Sequence, residues 1–185
     1  VYTVEEFLKQ GCEVAVTGRN SKFKGHYDKL GVKYYNVDLA YAEDFAQLPT
    51  EGVEGVILLG GLLPSNAEVN LDEEENAADY FRINTIGTIN VLEYCRKNGI
   101  KKVISNCSYA DVRGAWGKHV ITEDEPRDFI YTGDHAVYVF SKNAANDTME
   151  YYNQQHGMQC AWFRFPPVYG VGPHDSLFIN GTLRK

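Results

Sequence analysis

Short apolar segments alternate with longer amphipathic segments along the chain, and this alternation predicts five strands separated by helices. The predicted strands are Glu13–Thr17, Val32–Val37, Val53–Leu59, Lys102–Ser105 and Cys160–Phe165. Apolar strands that alternate with helices are typical of a parallel sheet whose two faces are both covered. We therefore expect an α/β fold with a doubly wound parallel sheet.

The segments between the strands carry helical patterns. Two long helices are predicted, from about Asn76 to Asn98 and from Tyr138 to Gln155, and three short ones at Val4–Gly11, His26–Leu30 and Ala42–Leu48. Gly11 has the position of a glycine that ends a helix. The first long helix is expected to bury its apolar residues, which are Phe81, Ile86, Ile89, Val91 and Leu92.

Glycine, proline and polar residues lie just beyond the predicted strands. Ligands of open α/β sheets bind outside the carboxyl ends of the strands, so these residues are the candidates for a binding site. They are Gly18, Arg19 and Asn20; Asp38 and Leu39; Gly60 and Gly61; Ser108; and Pro166 and Pro167. Their shared position at one edge of the sheet favours a ligand-binding function.

Tyr138 and Lys142 are four residues apart on a predicted helix, so their side chains share one face. A lysine ammonium beside a phenol favours the phenolate and is expected to lower the pKa of Tyr138. Such a tyrosine exchanges a proton with a substrate hydroxyl near neutral pH. Ser108, in the loop after the fourth predicted strand, would hold the reacting oxygen. The alternative for Tyr138 and Lys142 is an ordinary pair on the surface. The alternative for Ser108 is an ordinary turn residue.

Composition and charge limit the kinds of protein to which this chain can belong. With 185 residues, 44% of them hydrophobic and 23% charged, the chain has the size and composition of one globular domain. Its formal net charge of -7 argues against nucleic acid as a partner, because phosphate binding requires a basic face. The four cysteines are far apart in sequence, so neither a zinc site nor a disulfide framework is expected.

The sequence gives no sign of a membrane segment. No apolar run approaches the ~20 residues of a membrane-spanning helix. The N-terminus lacks the basic start and the apolar stretch of a signal peptide. We therefore expect a cytoplasmic protein without a membrane partner.

Five sequence blocks occur in an order that resembles the extended short-chain dehydrogenase/reductase family, in particular its NAD-dependent epimerase/dehydratase group that acts on nucleotide sugars. The blocks read VAVTGRN, NVDL, VILLGG, NTIGTINVLE, and YVFSK together with FRFPPVYGVGP. The resemblance implies a Rossmann-type dinucleotide-binding domain over residues 1–170 and the start of a substrate-binding region at residues 171–185. It also implies an enzyme that oxidises a sugar hydroxyl transiently with NAD(P), with net epimerisation, dehydration or reduction.

The resemblance implies roles for individual residues. Ser108, Tyr138 and Lys142 would form the catalytic triad, with Tyr138 as the acid and base. The implied cofactor contacts are Arg19 and Asn20 to the adenosine ribose, Asp38 and Leu39 to the adenine, Gly60 and Gly61 through their accessible backbone, Lys142 to the nicotinamide ribose, and Phe165 and Val168 to the nicotinamide end. A nucleotide sugar is the implied substrate.

The end of the second Rossmann strand bears on the choice of cofactor. Folds that prefer NAD place an Asp or Glu there, which accepts from the ribose hydroxyls. In this chain the place holds Gly18, followed by Arg19. A guanidinium can pair bidentately with a 2′-phosphate, so we expect a slight preference for NADP(H). The alternative is that Arg19 stacks on the adenine.

Departures from the family pattern keep other functions open. We expect the sheet to lack its first strand with the G-x-x-G-x-x-G turn, and most of the substrate-binding domain to be missing after Lys185. The serine segment reads SNCSY, and a long loop separates Ser108 from Tyr138. The alternatives to the enzyme are a non-catalytic dinucleotide-sensing or interaction module on the same fold, and an inactive fragment. A homodimer formed through the two long helices is a further expectation.

Overall fold

Helices and strands alternate in the computed structural model, which describes residues 2–64, 77–133 and 135–166. The strands are β1 (Ala15–Gly18), β2 (Lys33–Asn36), β3 (Gly55–Leu58), β4 (Lys102–Ser108) and β5 (Gln159–Phe165). The α-helices are α1 (Tyr2–Lys9), α2 (Lys24–Lys29), α3 (Ala77–Tyr80), α4 (Gly87–Lys97) and α5 (Ala136–His156). A π-helix, Phe81–Ile86, joins α3 to α4, and 3₁₀-helices lie at Ser21–Phe23, Ala42–Gln47 and Tyr109–Ala115. The five predicted strands and the order of the elements are confirmed.

All strand pairs in the described ranges are parallel, which confirms the predicted α/β class. β1 pairs with β2, and β3, β4 and β5 form a second sheet in that order. The strand order of a Rossmann sheet has a further strand between β1 and β3, and the described residues contain none there. Within these ranges, β1 is therefore hydrogen-bonded along one edge only, to β2, and β3 along one edge only, to β4.

One hydrophobic core connects the two sheets through α4. It combines residues that follow or belong to every strand from β2 to β5 with residues of α4 and α5; its buried members are Tyr35, Val37, Phe45, Leu58, Val91, Leu92, Cys95, Ile100, Val103, Met149, Tyr152, Met158 and Cys160. Burial of a large apolar side chain stabilises a fold by about 1.5–3 kcal/mol. This core fixes the two sheets relative to each other, and with them the strand ends that carry the candidate site residues.

The predicted long helix from Asn76 to Asn98 contains the π-helix in its first half. A π-turn inserts a residue into the helical repeat and so rotates the residues before it relative to those after it. Phe81 and Ile86 were expected to be buried, but they are 40% and 45% exposed. Val91 and Leu92, which follow the π-helix, are buried as predicted.

Several kinds of feature are absent from the described part of the chain. It contains no helix that is both long and apolar enough to cross a membrane. It also has no cluster of three or more His, Cys, Asp or Glu side chains that could hold a metal ion. The four cysteines are free, and Cys95, Cys107 and Cys160 are buried.

Glu93 of α4 links two helices. Its carboxylate accepts hydrogen bonds from Arg96 at 2.9 Å and from the Tyr152 hydroxyl of α5 at 2.6 Å. The bond from Arg96, and after it the bond from Tyr152, lowers the pKa of Glu93 to about 2. A carboxyl group whose pKa is lower in the folded chain than in the unfolded chain stabilises the fold above its unfolded pKa. That contribution is lost as the pH falls through the folded pKa.

We expect Glu93→Gln to reduce the loss of folding free energy that occurs as the pH falls from about 4.5 to about 2. The urea midpoints of the variant and the wild type, measured across that interval and at neutral pH, provide the test. Glu43→Gln, at an exposed position, is the control and should keep the wild-type pH dependence. If Glu93→Gln kept the wild-type pH dependence of stability in this interval, the role given to this carboxylate would be wrong.

Candidate functional site

A small pocket lies where the segment after β3 meets β4 and α5. Its lining consists of Leu59, Gly60, Gly61, Leu62, Leu63, Asn106, Tyr138 and Lys142. The pocket is at the carboxyl end of β3, the edge of the sheet at which the sequence predicts a ligand site. It brings together four of the predicted site residues, Gly60, Gly61, Tyr138 and Lys142, from two distant parts of the chain.

Tyr138 and Lys142 lie on the buried side of α5. Their exposed fractions are 6% and 4%, and both side chains line the pocket. Both side chains therefore lie on one face of α5, and neither is exposed on the surface. A lysine is almost never this deeply buried without a special reason, so the pair is a strong candidate for chemistry.

The pKa of Tyr138 is raised to about 12, so the expected lowering by Lys142 is wrong. Burial of the phenol is the largest cause, and the nearby Cys107 acts in the same direction. A hydrogen bond with the Ser108 side chain acts in the opposite direction. Desolvation disfavours the charged phenolate, and Tyr138 is therefore a neutral proton donor at physiological pH.

Burial lowers the pKa of Lys142, and the nearby Cys107 partly opposes this effect. The Lys142 Nζ donates a hydrogen bond to Asn106 Oδ1 at 3.3 Å, which is long for a charged donor. An ammonium group has three N–H donors. Lys142 can therefore donate to further acceptors in the pocket, such as the hydroxyls of a ribose.

Asn106 was not predicted as a site residue. It lies in the middle of β4, and its neighbours Ser105 and Cys107 are buried on the opposite face of the strand. The alternation of a strand puts Asn106 on the face that meets the pocket. The signal in the sequence was a polar amide between two small residues, two positions before Ser108.

Ser108 is the last residue of β4, because the strand continues three residues beyond its predicted end. Its Oγ accepts a hydrogen bond from the backbone N–H of Ala110 at 3.2 Å and so caps the 3₁₀-helix Tyr109–Ala115. The same side chain is a hydrogen-bond partner of Tyr138. The structure thus brings Ser108 next to Tyr138, and it also explains why a serine suits the start of this short helix.

Gly60 and Gly61 line the pocket, and a Cβ at either position would come close to another side chain. A methyl group on Gly60 would lie 2.9 Å from Cδ1 of Leu39. A methyl group on Gly61 would lie 3.0 Å from Oδ1 of Asn84. The resemblance implies that Gly60 and Gly61 let the cofactor approach the backbone, and in the structure their missing side chains leave room for Leu39 and Asn84.

Asn84, in the π-helix, holds the pocket loop in place. Its Oδ1 accepts from the backbone N–H of Leu62 at 2.7 Å, and its Nδ2 donates to the Leu62 carbonyl at 3.1 Å. The Nδ2 also donates to Ser141 Oγ at 2.9 Å, and that hydroxyl donates to the Tyr138 carbonyl at 2.7 Å. Asn84 therefore ties the loop after β3 to the turn of α5 that carries Tyr138 and Lys142.

Asp38 and Leu39, predicted to meet the adenine, lie in the turn that follows β2. Asp38 Oδ1 accepts from the backbone N–H of Ala40 at 3.0 Å, and the Asp38 N–H donates to Asp44 Oδ2 at 2.8 Å. Leu39 packs against Gly60, as described above. These contacts place the turn beside the glycine segment of the pocket.

Arg19 and Asn20 are exposed at the carboxyl end of β1. Asn20 Oδ1 accepts from the backbone N–H of Lys22 at 3.1 Å and caps the 3₁₀-helix that follows. The two residues are not part of the pocket lining. They lie at the end of the other sheet, in keeping with a ligand that extends across both sheets.

Phe165 is the last residue of β5 and is opposite Ser108 in the strand register. Its ring is 44% exposed and stacks on Phe163, with ring centroids 5.8 Å apart. This position next to Ser108 fits its predicted place at the nicotinamide end. Val168, the other residue predicted there, lies outside the described residues.

The described residues fit a nicotinamide dinucleotide. Gly60 and Gly61 add no side chain of their own to the pocket wall. The buried Lys142 ammonium has N–H donors left for ribose hydroxyls. The Tyr138 phenol, with Ser108 beside it, can meet a reacting hydroxyl. Gly18, Arg19, Asp38 and Leu39 lie at the ends of the neighbouring strands, which is where the adenosine end of a dinucleotide binds in a doubly wound sheet.

Comparison with known proteins decides the family. The model of the NAD dependent epimerase/dehydratase family matches residues 1–185. This chain belongs to that family. Two family relatives are a protein described as a putative UDP-glucose 4-epimerase of Methanocaldococcus jannaschii, 30% identical over 127 residues, and GDP-mannose 3,5-epimerase of Arabidopsis thaliana, 26% identical over 181 residues.

The fold also resembles those of solved enzyme structures. UDP-glucose 4-epimerase of Thermus thermophilus, in complex with NAD, superposes with a TM-score of 0.75 at 25% identity. A dTDP-glucose 4,6-dehydratase of Streptomyces venezuelae superposes with a TM-score of 0.77 at 18% identity, which shows the fold alone. These matches cover 93% and 99% of this chain and 53% and 57% of those chains.

The chain is short relative to its relatives. The aligned parts are 64% and 82% of this chain, but only 40% and 43% of the archaeal and plant epimerases.

The family and the Rossmann-type fold predicted from the sequence are confirmed.

Proposed function

We propose that this chain provides the cofactor site and the proton-transfer residues of a nucleotide-sugar epimerase, dehydratase or reductase that oxidises a sugar hydroxyl transiently with NAD(P). The observation that carries the proposal is the buried pair of Tyr138 and Lys142. It shares one pocket with Gly60 and Gly61 and has the Ser108 side chain beside the phenol.

In this proposal each side chain has a separate task. Bound NAD(P) supplies the hydride acceptor. One N–H of Lys142 donates to Asn106. The other N–H groups donate to ribose hydroxyls of the cofactor. Ser108 and Tyr138 hold the sugar hydroxyl, and the phenolic oxygen of Tyr138 takes its proton and later returns it.

Tyr138 can accept that proton only when positive charge lowers its pKa from about 12. The Lys142 ammonium lies one turn further along α5 and lines the same pocket. When bound, oxidised NAD(P) carries a positive charge on its nicotinamide ring, and that charge favours the phenolate as the Lys142 ammonium does. We therefore propose that Tyr138 rests as a neutral phenol, releases its proton to solvent in the cofactor complex and acts as a base only there.

The names of the relatives support the substrate class, because both are epimerases of nucleotide-linked hexoses. A nucleotide sugar is therefore the proposed small-molecule partner. A second copy of the chain, docked through α4 and α5, stays a prediction from the sequence, and the molar mass in solution from light scattering would test it.

The proposed activity can be tested directly on the full chain. The protein is loaded with NAD or NADP and incubated with UDP-glucose, GDP-mannose and dTDP-glucose, and the products are analysed by NMR. Inversion at a ring carbon or loss of water in one of these sugars is the expected result, because neither needs a net reductant. Cofactor binding without any change in the sugars would contradict the enzymatic role.

A dinucleotide-binding module without turnover is the second candidate. The observation in its favour is the raised pKa of Tyr138, because a phenol that stays protonated in the ligand complex cannot act as a base. The two candidates differ in the pKa of Tyr138 with cofactor bound. Ultraviolet difference titration of the loaded protein, compared with Tyr138→Phe, shows whether cofactor binding lowers that pKa.

Arg19 provides the test of the cofactor preference. If its guanidinium pairs with a 2′-phosphate, Arg19→Gln should weaken NADP binding at least ~10-fold, because a hydrogen bond to a charged group is worth about 1.5–3 kcal/mol. NAD binding should change little. Dissociation constants from calorimetric titration check this, with the exposed Lys22→Gln as the control. An equal loss for both cofactors would favour the alternative that Arg19 stacks on the adenine.

A further inference from the structure

Tyr34 of β2 occupies the space next to Gly18 at the end of β1. In the parallel register Tyr34 is opposite Val16, and Gly18 is opposite Asn36, so Tyr34 and Gly18 face the same side of the sheet. A methyl group on Gly18 would overlap the Tyr34 hydroxyl and lie 3.1 Å from Cζ of its ring. The phenol thus fills the volume into which any side chain at position 18 would point.

Two contacts keep the Tyr34 side chain in this place. Its hydroxyl donates a hydrogen bond to the Asn20 carbonyl at 2.5 Å. Its ring stacks on the buried ring of Tyr27, with centroids 5.9 Å apart and planes 19° apart. A phenol held at its ring and at its hydroxyl cannot move aside without losing both contacts.

β2 also holds the backbone on either side of Arg19. The side-chain amide of Asn36 donates to the carbonyls of Gly18 and Arg19 at 3.0 and 2.9 Å, in the amide orientation that satisfies both groups. With the bond from Tyr34, three successive carbonyls, of residues 18 to 20, accept hydrogen bonds from side chains of β2. The backbone that carries Arg19 therefore has a fixed course.

We infer that Tyr34 is a specificity-determining residue: it excludes a carboxylate from the end of β1 and fixes the backbone that presents Arg19 to the 2′-phosphate of NADP. The inference rests on the proposed function, because it concerns the adenosine end of the same cofactor site. A carboxylate at this place is the group that selects NAD, since it accepts from the ribose hydroxyls and repels a 2′-phosphate. In this arrangement Gly18 and Tyr34 would together favour NADP over NAD.

The test uses the full chain and three variants, Gly18→Asp, Tyr34→Val and the double variant. Gly18→Asp alone should melt at a lower temperature than the wild type, because the new side chain would clash with the Tyr34 phenol. The double variant should recover the melting temperature of Tyr34→Val. It should also bind NAD at least ~10-fold more tightly relative to NADP than the wild type does. Melting temperatures come from calorimetry, and dissociation constants for both dinucleotides come from titration.

The outcomes separate this inference from the proposed function. If Gly18→Asp melts like the wild type, Tyr34 does not exclude a side chain at position 18 and the inference is overturned. It is equally overturned if the double variant is stable but keeps the wild-type ratio of dissociation constants. If none of the four proteins binds a nicotinamide dinucleotide, the proposed function fails as well.

Discussion

Tyr138→Phe is expected to lower the turnover of the nucleotide sugar at least ~100-fold, the lower end of what general acid–base catalysis contributes. The substitution removes the hydroxyl that is proposed to exchange a proton, and it leaves the ring. That ring packs edge-on against Tyr80 at a centroid distance of 6.1 Å, so the fold of the pocket should be preserved. Affinity for the cofactor should stay nearly unchanged, since Lys142, the proposed ribose contact, is retained. Steady-state kinetics and cofactor titration measure the two effects separately.

Tyr131→Phe is a matched control for this experiment. It removes the same hydroxyl group from a tyrosine that is 75% exposed and that contacts Phe129 and Phe140 through its ring. Turnover in this control should equal that of the wild type. Normal turnover in Tyr138→Phe, with the cofactor bound, would refute the role of Tyr138 as the acid and base.

Asn84→Ala should cause a large loss of stability, about 2–4 kcal/mol in the free energy of unfolding. It leaves the buried N–H and carbonyl of Leu62 without their partner, and an unsatisfied buried group costs about 1–3 kcal/mol. It also removes the hydrogen bond to Ser141, which leads to the backbone of Tyr138. We therefore expect weaker cofactor binding in addition to a lower urea midpoint, because the loop at Gly60 and Gly61 loses its anchor.

Two further variants sharpen the interpretation of Asn84. Asn98→Ala removes one hydrogen bond, to the Tyr94 carbonyl at the end of α4, and should cost clearly less. Asn84→Asp can still accept from the Leu62 N–H, but it buries a carboxylate beside the Leu62 carbonyl, so its stability should be no higher than that of Asn84→Ala. Equal stability of Asn84→Ala and Asn98→Ala would show that the loop after β3 does not depend on Asn84.

The architecture could be predicted from the sequence because its signals are local. Each apolar segment gave one strand, and the family blocks gave their order in a parallel sheet. Gly11 ends the first helical segment with a positive φ of 80°, as its position predicted. Tyr138 and Lys142 were found because helical spacing alone puts them on one face.

The missed features depend on contacts between distant segments. Asn106 became a site residue only because β4 meets α5 at the pocket. The pKa of Tyr138 was predicted in the wrong direction, because a pattern shows that Lys142 is near but not how deeply the phenol is buried. Asn84 was not among the predicted site residues, because its hydrogen-bond partners, the Leu62 backbone and Ser141, are distant from it in sequence.

The π-helix has a consequence for any alignment of this chain with a relative. An α-helix turns by about 100° per residue, so the extra residue of a π-turn shifts the helical phase by about that angle. Residues before and after Phe81–Ile86 therefore follow two different helical frames. A relative whose helix is regular at this place must be aligned with a one-residue gap between positions 81 and 86. Without the gap, Asn84 or the buried residues of α4 would be matched to positions that face solvent.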